Sequence, residues 1–296
     1  MNYRIVLCFL LIIVISSLSC SNDLPANNSA GLKIISLSPS VTRQIIDLEA
    51  ENNLVGVTPY CPQSKTGVAI VGTYINPSIE TIISLKPDIV FMSEEDRDIQ
   101  RDNFFKKFGL NYYKFGRNDS FESICNNYKK LSDMIGKRDH AEKKIDSYIG
   151  RINRTKFPSI PLLGGVPEGR GGRCPKAGWS VAFLISVKPL ITVSDQSYIS
   201  DIIHKSGGIN IFKDLKNPYP ILTLEALIIK QPDVVIVMNP GDELYLEQKL
   251  KNFQNIKFVN KKNIFALGDE NIPYYTPKDF VISVEKIYEI LNHAKK

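Results

Sequence analysis

The chain has 296 residues, of which 43% are hydrophobic and 23% charged. That balance excludes a disordered polypeptide and leaves room for two ordinary domains. The formal net charge is +6, but Lys and Glu are interspersed, and no basic stripe with interleaved aromatics marks a nucleic-acid surface.

Residues 1–19 read as a signal peptide: Arg4 supplies a positive start, and Ile5 to Ile15 is apolar but too short to span a bilayer. Ser16-Ser17-Leu18-Ser19 then leads to Cys20. Small residues before a Cys resemble a bacterial lipobox, although Ser17 stands where that pattern has Leu. Lipidation of Cys20 is the expectation, with the protein exported and anchored to the extracytoplasmic or periplasmic face of the cell membrane. Cleavage near Cys20 without a lipid is the alternative. Residues 20–31, rich in Asn, Ser and Ala, read as a tether. Loss of Arg4 takes the net charge from +6 to +5. Cys8 leaves with the signal, and Cys61, Cys125 and Cys174 remain. An odd number gives no disulfide framework, and free thiols are the expectation.

Residues 32–119 read as an N-terminal lobe of alternating strands and helices. Leu32 to Leu37 is a strand ended by Ser38-Pro39-Ser40, which opens a helix carrying Ile45, Ile46 and Leu48. Strands are predicted at 54–57, 68–71, 89–92 and 112–115, and helices from Ser78 to Leu85 and around 104–108. Residues 120–157 carry a helical pattern without proline, interrupted only by Gly136. A single long helix, or two in series, joins the lobes. Residues 158–180, rich in Gly and Pro, read as an irregular segment. It lacks the G-K-[ST] element that a phosphate-binding loop needs.

Residues 181–296 read as a second lobe: strands at 181–187, 234–238, 257–259 and 264–267, a helix at 197–206, another carrying Glu225, and a terminal helix from about Pro277 to His293. One motif occurs in both lobes. Glu80 to Asp88 reads E-T-I-I-S-L-K-P-D before the apolar run Ile89 to Met92. Glu225 to Asp233 reads E-A-L-I-I-K-Q-P-D before Val234 to Met238. The fold class is therefore α/β: two Rossmann-like lobes with parallel sheets, joined by one long backbone helix.

No catalytic set assembles. His140, His204 and His293 share no metal spacing with one another or with Cys, so neither a metal nor a cofactor is expected, and the protein is not read as an enzyme. Ligands of open α/β sheets sit beyond the carboxyl ends of the strands. That edge carries Ser38, Pro39, Tyr60, Tyr74, Asn76, Tyr198, Tyr219, Tyr274 and Tyr275. Tyrosine offers a flat apolar face with a hydroxyl handle, suited to a bulky ligand.

The segments I-S-L-S-P-S-V-T at 35–42, V-G-T-Y-I-N-P-S-I-E-T-I-I-S-L-K-P-D at 71–88, D-I-I-H-K-S-G-G-I-N-I at 201–211, and Y-P-I-L-T-L-E at 219–225 with P-D at 232–233 closely resemble one family. It comprises the periplasmic solute-binding proteins of ABC importers for vitamin B12, ferric siderophores and haem. The resemblance covers most of residues 32–296. It implies a monomer that captures a metal chelate between its lobes. It further implies a permease dimer that receives the carboxylates of Glu80 and Glu225. Among cargoes, a corrinoid leads, with Tyr74 and Tyr60 on ligand positions. A ferric siderophore follows, then haem, for which Tyr60, Tyr74 and Tyr274 are candidate iron ligands. The segment 268–275 and the segment 158–180 depart from the family pattern. The competing reading is an exported enzyme or metallocluster protein on the same two-lobed fold.

Overall fold

Unbroken apolar runs set two sheets. The computed structural model describes residues 31–62, 66–93, 99–155, 178–268, 272 and 274–294. The segment read as a signal peptide, Cys20, Glu94-Glu95, Cys174, Asp269 to Asn271 and nearly all of the Gly/Pro-rich segment lie outside the described residues.

The first sheet contains β1 (Ile34–Ser36), β2 (Leu54–Val57), β3 (Ala69–Ile70), β4 (Ile89–Ser93) and β5 (Tyr112–Phe115). All its pairings are parallel, in the order β3-β2-β1-β4-β5. Helices α1 (Pro39–Asp47), α2 (Ile79–Leu85) and α3 (Ile99–Lys107) connect them. Ile89, Val90, Phe91 and Met92 are all buried, as expected of a central parallel strand covered on both faces.

The second sheet is built around β6 (Trp179–Val187), with β7 (Leu190–Thr192), β8 (Gly208–Asn210), β9 (Val234–Val237) and β10 (Ile264–Ala266). Its order is β10-β9-β6-β7, with β8 also on β6. Four helices belong to this half: α6 (Tyr198–Lys205), α7 (Leu224–Lys230), α8 (Asp242–Leu250) and α9 (Lys257–Asn260). Residues 257–259, predicted as a strand, instead open α9, with only Phe258 buried; strand β10 starts after it. The proline that follows the first strand of each half acts differently in the two. Ser38-Pro39 opens α1, whereas Lys188-Pro189 turns the chain into β7, antiparallel to β6.

Of the two expectations, a single long helix or two in series, the structure has two helices, α4 (Phe121–Met134) and α5 (Arg138–Arg154). Gly136 adopts φ 70°. The N–H of Gly136 reaches Asp133 O at 3.3 Å and that of Lys137 reaches Ser132 O at 2.7 Å, a glycine-based closure of a helix end. Tyr128 and Tyr148 would lie about 30 Å apart in one continuous helix. Both hydroxyls instead donate to Asp47, at 2.7 Å and 2.9 Å, so α5 folds back beside α4. The chain ends in α10 (Pro277–His293), which packs on α4, α5 and α6.

Side-chain alternation divides the core into faces. Ile34 and Phe91 of the first sheet share one apolar cluster with Val181, Phe183, Val234 and Ile236 of the second. Tyr128, Ile145, Phe280 and Ile287 of the helical layer complete it. The opposite faces carry separate clusters, Ile35, Val90 and Met92 with Ile82 of α2, and Ala182, Leu184 and Val235 with Leu227 of α7. The two halves thus share a continuous core on one side and stand independent on the other. No helix among the described residues is long and apolar enough to cross a membrane.

The repeated motif builds the same object twice. Ser78 and Thr223 cap α2 and α7, accepting from the N–H groups of Thr81 and Ala226. Each helix ends on a left-handed residue, Lys86 at φ 50° and Gln231 at φ 43°, directly before the proline. The aspartate then clasps the neighbouring strand. Asp88 accepts from Lys33 N–H at 2.7 Å and donates back to Lys33 O at 2.9 Å. Asp233 accepts from Ser180 N–H at 3.1 Å and donates back to Ser180 O at 2.9 Å.

Candidate functional site: a tyrosine-lined cavity

The carboxyl ends of the first sheet converge on a cavity of about 340 Å³. Leu37 to Ser40 follow β1, Thr58 and Tyr60 follow β2, Tyr74 follows β3, and Met92-Ser93 end β4; Tyr274 and Tyr275 close the cavity from the far half of the chain. Six predicted residues are therefore brought together: Ser38, Pro39, Tyr60, Tyr74, Tyr274 and Tyr275. Tyr60 and Tyr74 are 68% and 46% exposed, which leaves their rings open to a partner at the mouth.

Each contributor is held by local chemistry. Pro39 starts α1, where its missing N–H and fixed φ fit the first helical position. The Ser38 carbonyl accepts from the Thr42 hydroxyl at 3.1 Å and the Ser36 hydroxyl at 3.1 Å. The Tyr74 loop is pinched at its base by a bridge between Gly72 and Pro77. Gly72 has φ 85°, and a Cβ there would fall 2.6 Å from Asn76 O, so the turn requires glycine. Within the loop, Asn76 N–H donates to Thr73 Oγ1 at 3.0 Å, and Arg101 Nη2 donates to Ile75 O at 3.2 Å.

Three predicted residues lie elsewhere. Asn76 is exposed and serves the turn, off the cavity wall. Tyr198 is buried in the core, its ring edge-on to Tyr275 at 4.8 Å between centroids, so it supports a lining residue from behind. Tyr219 sits in a strip bonded along β7, between Pro218 and Pro220, whose carbonyls accept from Ser194 and Thr192. Leu37, Ser40, Thr58, Met92 and Ser93 line the cavity without having been singled out. The signal was the one that marked Ser38: each follows or ends a strand at its carboxyl edge.

Glu80 and Glu225 are exposed, one in the first turn of each repeated helix. The Glu225 carboxyl is held below its usual pKa by its own backbone N–H and the Thr223 hydroxyl. Exposed isoleucines stand close in sequence to each glutamate: Ile75 and Ile83 to Glu80, Ile221 and Ile229 to Glu225. Among the described residues no three His, Cys, Asp or Glu side chains form a metal-holding group. Cys61 and Cys125 are buried free thiols. Burial pushes the Cys125 thiol up to about 12, well away from a reactive thiolate.

An aromatic cavity at the carboxyl edge of one sheet, closed by a segment following the last strand of the other, is built into a two-lobed α/β fold. Residues 34–156 match the family described as periplasmic binding protein. The vitamin B12-binding protein of Vibrio campbellii is 24% identical over 294 residues, covering 97% of this chain and 96% of the relative. The periplasmic heme-binding protein HutB of Vibrio cholerae superposes with a TM-score of 0.71 at 19% identity, over 88% of this chain and 98% of that one. The siderophore-binding protein FhuD of Vibrio cholerae, bound to Fe3+-Desferal, gives 0.66 at 16% identity, over 90% and 100%. The chain is thus similar to periplasmic binding proteins, by the family match over residues 34–156 and by the likeness of these three relatives along most of its length. The relatives named here are binding proteins rather than enzymes.

Proposed function

We propose that this protein captures a metal chelate in the tyrosine-lined cavity and delivers it to the permease of an ABC importer. The observation that carries the reading is the convergence of Tyr60, Tyr74, Tyr274 and Tyr275 on one cavity. Four phenol rings supply flat apolar contact with hydroxyl handles, the chemistry that suits a planar or bulky chelate. A corrinoid is the leading cargo, supported by the similarity to a vitamin B12-binding protein along nearly the whole chain. A ferric siderophore and then haem follow. At about 340 Å³ the cavity takes one face of such a cargo, whose bulk extends through the open mouth. The continuous core beneath both halves favours a small hinge motion over a wide closure.

Glu80 and Glu225 are the permease contacts in this reading. Both are exposed carboxylates at matching positions of the repeated helices, so a dimeric partner with two cationic sockets would meet both at once. Exposed apolar groups beside a charged contact are a mark of interaction surfaces. Ile221 and Ile229, 71% and 79% exposed, stand four positions before and four after Glu225 in the chain. Export, and anchoring through a lipid on Cys20, complete the proposal.

Calorimetric titration of the cell-processed protein with cyanocobalamin, a ferric hydroxamate and hemin tests the assignment. Saturable one-to-one binding of one chelate, weakened about tenfold by Tyr74→Ala, is the expected outcome. Binding that is indifferent to Tyr60→Ala and Tyr74→Ala contradicts the site.

A further inference from the structure

Tyr274 and Tyr275 lie in a stretch without regular structure, yet one face of α1 grips it. Ser40, Arg43, Gln44 and Asp47 follow the spacing that aligns side chains along a helix. Ser40 Oγ accepts from Tyr275 N–H at 3.3 Å, and Gln44 Nε2 donates to Tyr275 O at 2.7 Å. The Arg43 guanidinium lies 4.2 Å from the centre of the Tyr274 ring, within range for cation–π attraction. Its Nε and Nη2 both reach the Asp279 carboxylate at 2.9 Å, the fork geometry that fixes orientation as well as distance. Asp279 in turn receives the Thr276 hydroxyl at 2.6 Å and donates its own N–H back to it at 2.9 Å. The segment is therefore held at consecutive residues, from Tyr274 to Thr276.

The grip is itself anchored. Asp47, at the far end of the same face, has a side chain only 6% exposed. It accepts from Tyr128, Tyr148 and, at 3.4 Å, Lys144, which ties α1 to α4 and α5. Neither Arg43 nor Gln44 lines the tyrosine cavity. Arg43 instead borders a second cavity of about 360 Å³. Four of the groups that line that cavity are paired with one another, Arg43 with Asp279 and Lys144 with Asp47.

We propose that Arg43 and Gln44 are positioning residues that hold Tyr274 and Tyr275 in their cargo-contacting places before any cargo arrives. The inference rests on the reading of the tyrosine cavity as the cargo site. A helix of the first half thus sets the wall contributed by the second, and the ordering cost of two aromatic contacts is met during folding rather than at binding.

Hydrogen–deuterium exchange at residues 275–276 of the cargo-free protein, read beside chelate titrations, tests it. Arg43→Lys keeps the charge and loses the fork; Gln44→Ala removes the donor to Tyr275, and thermal melts check that each variant folds. Each variant is expected to raise exchange at 275–276 about tenfold and to weaken cargo binding about tenfold. In a Tyr274→Ala background, Arg43→Lys is expected to cost less than about twofold more, because its effect runs through that ring. Unchanged exchange, or a double variant that multiplies both losses, overturns the proposal. If the unaltered protein binds none of cyanocobalamin, the ferric hydroxamate or hemin, the cargo reading fails, and the exchange result alone decides whether Arg43 and Gln44 order the segment.

Discussion

Helices α2 and α7 are near copies, and the places where they differ separate what a motif encodes from what its surroundings add. Both are capped by a hydroxyl, both end on a left-handed residue before proline, and both bury one central aliphatic, Ile82 or Leu227. Both lead to an aspartate that clasps the strand beside it. Beyond that the two diverge. Asp88 is exposed, with Lys33 N–H as its carboxylate partner. Asp233 is half-buried and adds the Ser180 hydroxyl at 2.6 Å and an ion pair with Lys257. Among the described residues the first half also supplies most of the cavity wall, and the second only Tyr274 and Tyr275. The motif thus specifies a helix with a carboxylate at its tip, and the residues around it decide what each copy does.

If the two tips act as one docking device, removing both is the most damaging change. Glu80→Ala with Glu225→Ala is expected to lower cellular cargo uptake by about a hundredfold or more, while each single variant retains partial uptake. Cargo affinity of the purified double variant is expected to stay within about twofold of the parent. A loss of affinity would mean that the glutamates serve the cavity instead.

The matched cores come next. Ile82→Ala and Leu227→Ala each remove a fully buried side chain and are expected to cost about 2–4 kcal/mol in denaturant unfolding. Similar losses would support equivalent packing, and a negligible loss in one would break the equivalence.

The aspartates differ in acid. Burial opposes ionisation of Asp233, but hydrogen bonds from Lys257 and Ser180 outweigh it and lower its pKa from 3.8 to about 2. A carboxylate with a depressed folded pKa contributes stability above its unfolded pKa, and that contribution is lost as the pH falls through the folded value. Asp233→Asn is therefore expected to cost about 1–2 kcal/mol at neutral pH and to flatten the stability profile between about pH 4 and pH 2. An unaltered acid limb would refute the pairing.

The smallest effect concerns the left-handed helix ends. Lys86→Gly and Gln231→Gly each relieve a conformation that disfavours side chains, and each is expected to gain about 0.5–1 kcal/mol. A loss at one site only would mean that its side chain has a role the other lacks.

Much of this was legible in the sequence because it is local. Caps, the Lys-Pro and Gln-Pro helix ends and the apolar runs act within a few residues, so the strand–helix order followed, and with it the carboxyl edges that carry Tyr60, Tyr74, Tyr274 and Tyr275. What stayed hidden depends on distant partners. Tyr198 and Tyr275 both follow strand ends, and only packing shows that one is buried beneath the other. Gly136 marks a break in the helical pattern, but the fold-back depends on Asp47, which receives tyrosines 81 and 101 residues downstream. Arg43 carries no local sign of its reach to Asp279, 236 positions away.

The most direct test of the central claim is a crystal structure of the cell-processed protein grown with its calorimetrically identified chelate. The account expects the chelate against Tyr60 and Tyr74, with Tyr274 and Tyr275 in place and Glu80 and Glu225 left exposed. A chelate seated away from the tyrosine cavity, or covering the two glutamates, would contradict it.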